Sequence, residues 1–288
     1  MKIKAHMLKV YGYVGIALIS TAIINFYFVL QPFADWYIPI IWFGFILFID
    51  SLVNKIKHRS LLWNHPKEFV LILFISIFFW LIFEIYNFFT KNWSYTNYSG
   101  YIHIVDFATT LPSLLELSIL MSCFIPKINL KIKIIFTKKL LYGVLIIGII
   151  ISTIPIIVPN LAFPLIWVGP FLVLDPINAL RGYPSVIKTV QHSFRSVYMF
   201  FIAGIIGGFL WELWNNFAYP KWIYLMSVPG IFGVKLFAMP LLGYFGYLSF
   251  ALEAYSFYVF ASSLYQKPKR ILINVDGTLN SAKLPAKD

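Results

Sequence analysis

The chain has 288 residues, of which 60% are hydrophobic, 19% aromatic and 12% charged, and its mean hydropathy is +0.80. Soluble domains carry about 25% charged residues, so a soluble globular enzyme, a disordered chain and a disulfide scaffold are excluded. The single cysteine, Cys123, allows neither an internal bridge nor a cysteine metal cluster.

A net charge of +12 would point to nucleic acid in a soluble domain. Here the Lys and Arg residues sit in short segments between apolar runs, where they orient spans and attract anionic lipid, and no nucleic-acid partner is expected. A spanning helix needs roughly 20 mostly apolar residues. Eight stretches qualify, at about 11–31, 36–53, 69–89, 107–125, 140–158, 161–178, 197–217 and 231–262. The last is long enough for a half-inserted segment followed by a helix, with Pro240 and Gly243 near the break. The apolar run after the basic N-terminus is too long for a signal peptide and reads as an uncleaved first helix. With that N-terminus in the cytoplasm, all 23 Lys and Arg except Lys91, Lys221 and Lys235 fall on cytoplasmic segments, as the positive-inside rule prefers. The expected protein is an all-α, multi-pass protein of the cytoplasmic (inner) membrane with both termini cytoplasmic. Gln266 to Asp288 reads as a polar, solvated tail.

Three polar–aromatic motifs occur twice in the same order. Ile41-Trp42-Phe43-Gly44 with Asp50 and Asn54 returns as Ile166-Trp167-Val168-Gly169 with Asp175 and Asn178. Phe83-Glu84-Ile85-Tyr86-Asn87 with Trp93-Ser94-Tyr95 returns as Trp211-Glu212-Leu213-Trp214-Asn215 with Trp222-Ile223-Tyr224. Leu115-Glu116 returns as Leu252-Glu253. Chance does not repeat such a series, so the chain reads as two tandem four-helix repeats, 1–139 and 140–264, followed by the tail 265–288. Four spans each is an even number, so the repeats are parallel, related by an axis along the membrane normal. Ala203-Gly204-Ile205-Ile206-Gly207-Gly208 offers the small residues that a close helix interface needs.

Six of the 11 acidic residues (Asp50, Glu84, Glu116, Asp175, Glu212 and Glu253) fall within the predicted spans. Each would cost about 2.5–3.5 kcal/mol at the bilayer centre, so such groups face the bundle interior or a wet cavity. Burial favours the neutral acid, which can donate a proton. Glu84/Asn87 and Glu212/Asn215 are three apart, hence on one helix face, and the four glutamates are expected to line one cavity in the outer half. Glu84, Glu116, Glu212 and Glu253 are therefore the candidate acid–base residues. Asn87, Asn215, Trp93, Tyr95, Trp222, Tyr224, Asp50 and Asp175 are the candidate substrate-binding residues. Interhelical hydrogen bonding competes for the Glu–Asn pairs, helix-end bonding to loops for the two aspartates, and an interfacial aromatic belt for the Trp and Tyr residues.

No metal-ligand spacing, P-loop or G-x-S-x-G is present, and no cofactor is expected. His103 with Asp106 reads as part of a solvated outer loop.

Trp93-Ser94-Tyr95 ahead of Leu111-Pro112-Ser113-Leu114-Leu115-Glu116, and Trp222-Ile223-Tyr224 ahead of Ser249-Phe250-Ala251-Leu252-Glu253, resemble the small membrane lycopene cyclases built from paired c and d units. That family places adjacent carboxylates shortly after its proline, whereas this chain has one Glu four residues beyond Pro112 and a serine in place of the proline in the second copy. The segment from Asp175 to Glu253 also looks like a prokaryotic polytopic membrane family of unassigned function. The cyclase resemblance implies an enzyme in which a carboxylic acid protonates a double bond and aromatic faces stabilise the cation, on a polyprenyl or carotenoid-like lipid. A proton-coupled carrier of a small solute or lipid, and a structural membrane-assembly protein, stay open beside it. The partner expected is a membrane lipid or isoprenoid, and a homo-oligomer is compatible with the sequence.

Overall fold

The computed structural model describes residues 7–128, 130–225 and 233–280. The N-terminal Lys2 and Lys4, the end of the tail with Lys283 and Lys287, and the beginning of the eighth apolar stretch lie outside the described residues. The first half of the chain forms α1 (Val10–Phe28), α2 (Tyr37–Lys57), the one-turn α3 (Leu61–Asn64), α4 (Pro66–Thr90), the strand β1 (Trp93–Thr96) and α5 (Gly100–Met121). The second half forms α6 (Lys138–Ile157), the short α7 (Pro159–Ala162), a 3-10 turn over Phe163–Trp167, α8 (Gly169–Leu180) and the short α9 (Val186–Thr189). It continues with α10 (Arg195–Phe217), the strands β2 (Lys221–Tyr224), β3 (Lys235–Leu236) and β4 (Met239–Pro240), and finally α11 (Gly246–Ser262).

Seven segments among the described residues are long and apolar enough to cross a membrane: α1, α2, α4, α5, α6, Phe163–Leu180 and α10. The chain is thus an all-helical multi-pass protein by length and composition. The eighth predicted stretch is different. Its helix, α11, has 17 residues and follows the β3–β4 hairpin and a 3-10 turn over Leu241–Phe245, so Pro240 and Gly243 do mark a break in the run.

Local chemistry sets the helix ends. Pro66 opens α4, where its missing N–H is no loss, and α4 stops at Lys91, which turns left-handed (φ 51°) and returns its N–H to the Asn87 carbonyl. Within the first half, α1 packs on α2, α4 on α5, and α2 on α5; within the second, α6 packs on α8, α10 on α11, and α8 on α11. The halves meet where α10 and α11 contact α5, where α4 contacts α6 and α11, and where β1 pairs with β2. The helices α1 and α6 present long apolar faces outward (Tyr13, Ile16, Ile23, Ile146, Ile150), as lipid-facing helices do.

The glycine run of α10 lies at two contacts. A Cβ on Gly204 would fall 2.0 Å from the Tyr247 carbonyl oxygen and one on Gly208 2.2 Å from the Tyr247 ring, both on α11, whereas one on Gly207 would fall 3.0 Å from Leu114 of α5 in the other half.

The tail departs from the expected solvated end. Ile271, Leu272 and Ile273 are buried, and the segment docks across both halves at the end of the bundle away from β1 and β2. Tyr255 donates its hydroxyl to the Ile273 carbonyl (3.1 Å), and Lys57 bonds the Gly277 carbonyl (3.1 Å) and Ser122 Oγ (2.6 Å). Arg195 donates to the carbonyls of Ile125 (3.1 Å) and Asp276 (3.3 Å). A turn at Gly277 (φ 75°), a conformation that suits glycine, lets the chain fold back. Composition misled here: three apolar residues within a basic segment are enough to anchor it.

The glycine packing is testable. Gly204→Ala overpacks the α10–α11 contact and is expected to destabilise by about 1–3 kcal/mol. Gly143→Ala in α6, where a Cβ meets nothing within 4 Å, is expected to be neutral or to stabilise by roughly 0.5 kcal/mol. Thermal unfolding of the two purified variants in detergent measures the difference.

Candidate functional site

Period-two alternation puts Trp93 and Tyr95 on one face of β1 and Trp222 and Tyr224 on one face of β2. Antiparallel pairing in the register Trp93↔Tyr224 and Tyr95↔Trp222 brings all four rings to the same face. The loops leading into these strands are clamped alike, each by one asparagine side chain. Asn87 Oδ1 accepts from the Asn92 and Trp93 N–H groups (3.0 and 3.1 Å), and its amide donates to the Trp93 carbonyl (3.0 Å). Asn215 Oδ1 accepts from the Trp222 N–H (2.9 Å), and its amide donates to the Trp222 carbonyl (3.0 Å). Asn87 and Asn215 are therefore strand-positioning residues.

The four rings wall a small chamber of about 30 Å³ whose remaining lining is Trp80, Trp167, Trp211, Tyr247 and Phe250. Its lining is wholly aromatic, and the carboxylates stand behind it. Glu84 Oε1 accepts from Trp80 Nε1 (2.8 Å), Trp93 Nε1 (3.4 Å) and the Tyr95 hydroxyl. Glu212 Oε1 accepts from the hydroxyls of Tyr224 (2.6 Å) and Tyr247 (2.7 Å), while its Oε2 is buried and unpartnered. Trp93 and Trp222 also donate to the hydroxyls of Tyr95 (3.2 Å) and Tyr224 (3.0 Å).

The other two glutamates are elsewhere, which corrects the expectation of one cavity lined by four. Glu116 lies sixteen residues into α5 and Glu84 six residues before the end of the antiparallel α4, about 15 Å apart along the axis at ~1.5 Å per residue. Glu116 faces Asp50 and Lys57 near the tail. Glu253 sits one helical turn below the chamber residue Phe250. Both carboxyl groups are buried without hydrogen-bond partners.

Asp50 and Asp175 are also remote from the chamber. Asp50 accepts from the hydroxyls of Tyr11 (2.5 Å) and Ser60 (2.8 Å) and from the Leu62 N–H (2.7 Å). Asp175 accepts from Ser185 Oγ (2.6 Å), Ser256 Oγ (3.0 Å) and the N–H groups of Val186 and Ile187 (both 2.9 Å). Each aspartate pins the short helix that follows it, with a serine ten residues downstream in both halves, a spacing visible in the sequence.

Among the chamber residues, Trp80, Trp167, Trp211, Tyr247 and Phe250 were not expected. Trp80 was discoverable as the residue one helical turn before Glu84, on the same face. Tyr247 was hidden because it comes from another helix. His103 and Asp106 also depart from expectation: they lie in α5 rather than in a solvated loop, and His103 Nε2 and both Asp106 oxygens are buried. No group of His, Cys, Asp and Glu among the described residues could hold a metal ion.

Comparison with protein-family models, with curated proteins and with solved structures returned no match.

Burial, reinforced by the adjacent carboxylate, pushes the Tyr95 and Tyr224 phenols well above the usual tyrosine range. A raised folded-state pKa gives stability that is complete below the unfolded value, about 10, and is lost as pH rises through the folded value. Thermal unfolding temperatures are expected to fall steeply above about pH 10, and Tyr95→Phe/Tyr224→Phe to flatten that fall. Unfolding scans at graded pH check this.

Proposed function

We propose that this chain is a membrane enzyme that carries out acid–base chemistry (cyclisation, isomerisation or hydration) on an unsaturated, isoprenoid-type lipid. In this reading it spans the cytoplasmic membrane eight times, as two tandem parallel four-helix repeats with both termini cytoplasmic. The duplication is supported by the matching helix pairings, the matching asparagine clamps and the matching aspartate–serine contacts of the two halves.

The observation that carries the functional reading is the aromatic chamber backed by two carboxylates. Aromatic faces attract positive charge, and a ring whose N–H or O–H donates to a carboxylate is polarised so that its face is more negative. The all-aromatic lining is inhospitable to water, as cyclisation or isomerisation through a carbocation requires. Protonated Glu212, through its free Oε2, would transfer its proton to one carbon of a double bond. The other carbon becomes the cation and the carboxylate is left behind. Ring closure or migration moves the charge, and loss of a neighbouring proton to a carboxylate restores the acid. Glu84, with one oxygen taken by three donors, holds the rings.

A carrier is the second reading. Glu116 and Glu253, buried and unpartnered away from the chamber, are what a proton relay would use, and proton-dependent uptake by reconstituted vesicles would establish it.

The enzyme reading is tested by comparing total lipid extracts of cells making the wild type or Glu84→Gln/Glu212→Gln at matched levels. Mass spectrometry is expected to find an isoprenoid that appears or disappears only with the wild type. Identical extracts from folded wild type and variant would reject an enzyme acting on host lipids.

A further inference from the structure

Beside the chamber lies a second small cavity of about 20 Å³, room for one water-sized group, which shares Trp80, Tyr95, Trp211 and Trp222 with it. The two differ in chemistry. The second cavity is also lined by His103, Asp106, Thr109 and Thr110. Both Asp106 oxygens are enclosed and make no hydrogen bond, although the Tyr98 hydroxyl lies close by. His103 Nε2 is likewise enclosed and unbonded. The imidazole is held between two phenols, with ring centroids 4.3 Å from Tyr95 and 4.1 Å from Tyr98. Among the described residues, neither Lys nor Arg lines this cavity.

Three buried acceptor or donor atoms without partners are costly, and such groups are normally satisfied by protein, water or ligand. A carboxylate needs donors. Apart from Ile38, Thr109 and Thr110, the other walls are indole, phenol and phenyl groups, whose faces favour a cation over an anion. A carboxylate among aromatic faces, with an imidazole nitrogen as a further acceptor, matches a group that has both positive charge and several N–H donors. We infer that this cavity binds a primary ammonium group, whose N–H donors engage the Asp106 oxygens and His103 Nε2. The ammonium is that of a free alkylamine or of an amphiphile's head, whose chain would then lie against the four shared rings. The inference stands independently of the lipid-enzyme reading, because binding is read without turnover.

Four tryptophans line the cavity (Trp42, Trp80, Trp211 and Trp222), so binding can be followed by intrinsic fluorescence of the full chain in phosphatidylcholine nanodiscs. Titration with n-butylammonium is expected to give a saturable change. Neutral n-butanol should give none, and tetramethylammonium, which has no N–H, should bind roughly tenfold more weakly. Asp106→Asn should weaken n-butylammonium binding by roughly tenfold or more while keeping the wild-type unfolding temperature. Equal titration by n-butanol, or unchanged affinity in folded Asp106→Asn, overturns the proposal. Should the variant not fold, the ammonium-against-alcohol comparison on the wild type decides alone. Nanodiscs containing phosphatidylethanolamine separate the sources: competition with n-butylammonium assigns the site to a lipid head, and undiminished binding assigns it to a free amine.

Discussion

A carboxylate enclosed by apolar side chains stays ionised only where hydrogen-bond donors answer it, because taking an ion out of water costs several kcal/mol even after the protein relaxes. Glu84 and Glu212 are answered by indole N–H and phenol O–H groups, and every ring that answers is fixed in place by doing so. The chamber's shape follows from that requirement. Trp93 and Tyr95 on β1, and Tyr224 on β2, are drawn inward by the carboxylates and their partners. The four-residue strands would on their own be a marginal ribbon; the asparagine clamps and these hydrogen bonds hold them across the mouth of the bundle. At the opposite end the same requirement is met differently, with Asp50 and Asp175 answered by serine hydroxyls and backbone N–H groups. Aromatic donors build a cavity, whereas backbone donors build a rigid corner.

The two halves satisfy this constraint with different third partners. Four residues before the glutamates stand Trp80 and Gly208. Trp80 donates directly to Glu84. Gly208 leaves its space open, and the Tyr247 ring occupies it while its hydroxyl donates to Glu212. In the proposed duplication, one copy fills the position from its own helix and the other from a neighbour. A tryptophan at 208 would collide with Tyr247, so that pair has to change together.

Much of this was legible in the sequence, because hydropathy runs and repeated motifs report chemistry carried by single segments. The W-x-Y spacing already places two rings on one strand face, and Glu-x-x-Asn already places an acid and a loop clamp on one helix face. What was not legible depends on pairs of segments. That Glu116 lies far from Glu84 follows from the lengths of antiparallel helices and from where each begins, which hydropathy fixes only loosely. That Ile271 to Ile273 are buried depends on Tyr255 and Tyr258 offering a docking surface. Asp106 read as part of a loop because the predicted span begins one residue after it, yet α5 begins at Gly100 and carries it inside.

The chamber is nearly symmetric in its rings and unsymmetric in its carboxylates, and the second property matters more for chemistry. Glu84 gives one oxygen to three donors and lies partly exposed. Proton transfer from that oxygen would break the contacts that hold the wall. Glu212 has two phenols on one oxygen and a free, enclosed second oxygen, so it can exchange a proton while the wall stays intact. A symmetric pair of acids would have let either end of a substrate react. In the proposed reaction the first half would supply a rigid, negatively polarised surface and the second the mobile proton, which would place a substrate's reacting carbon toward α10 rather than α4.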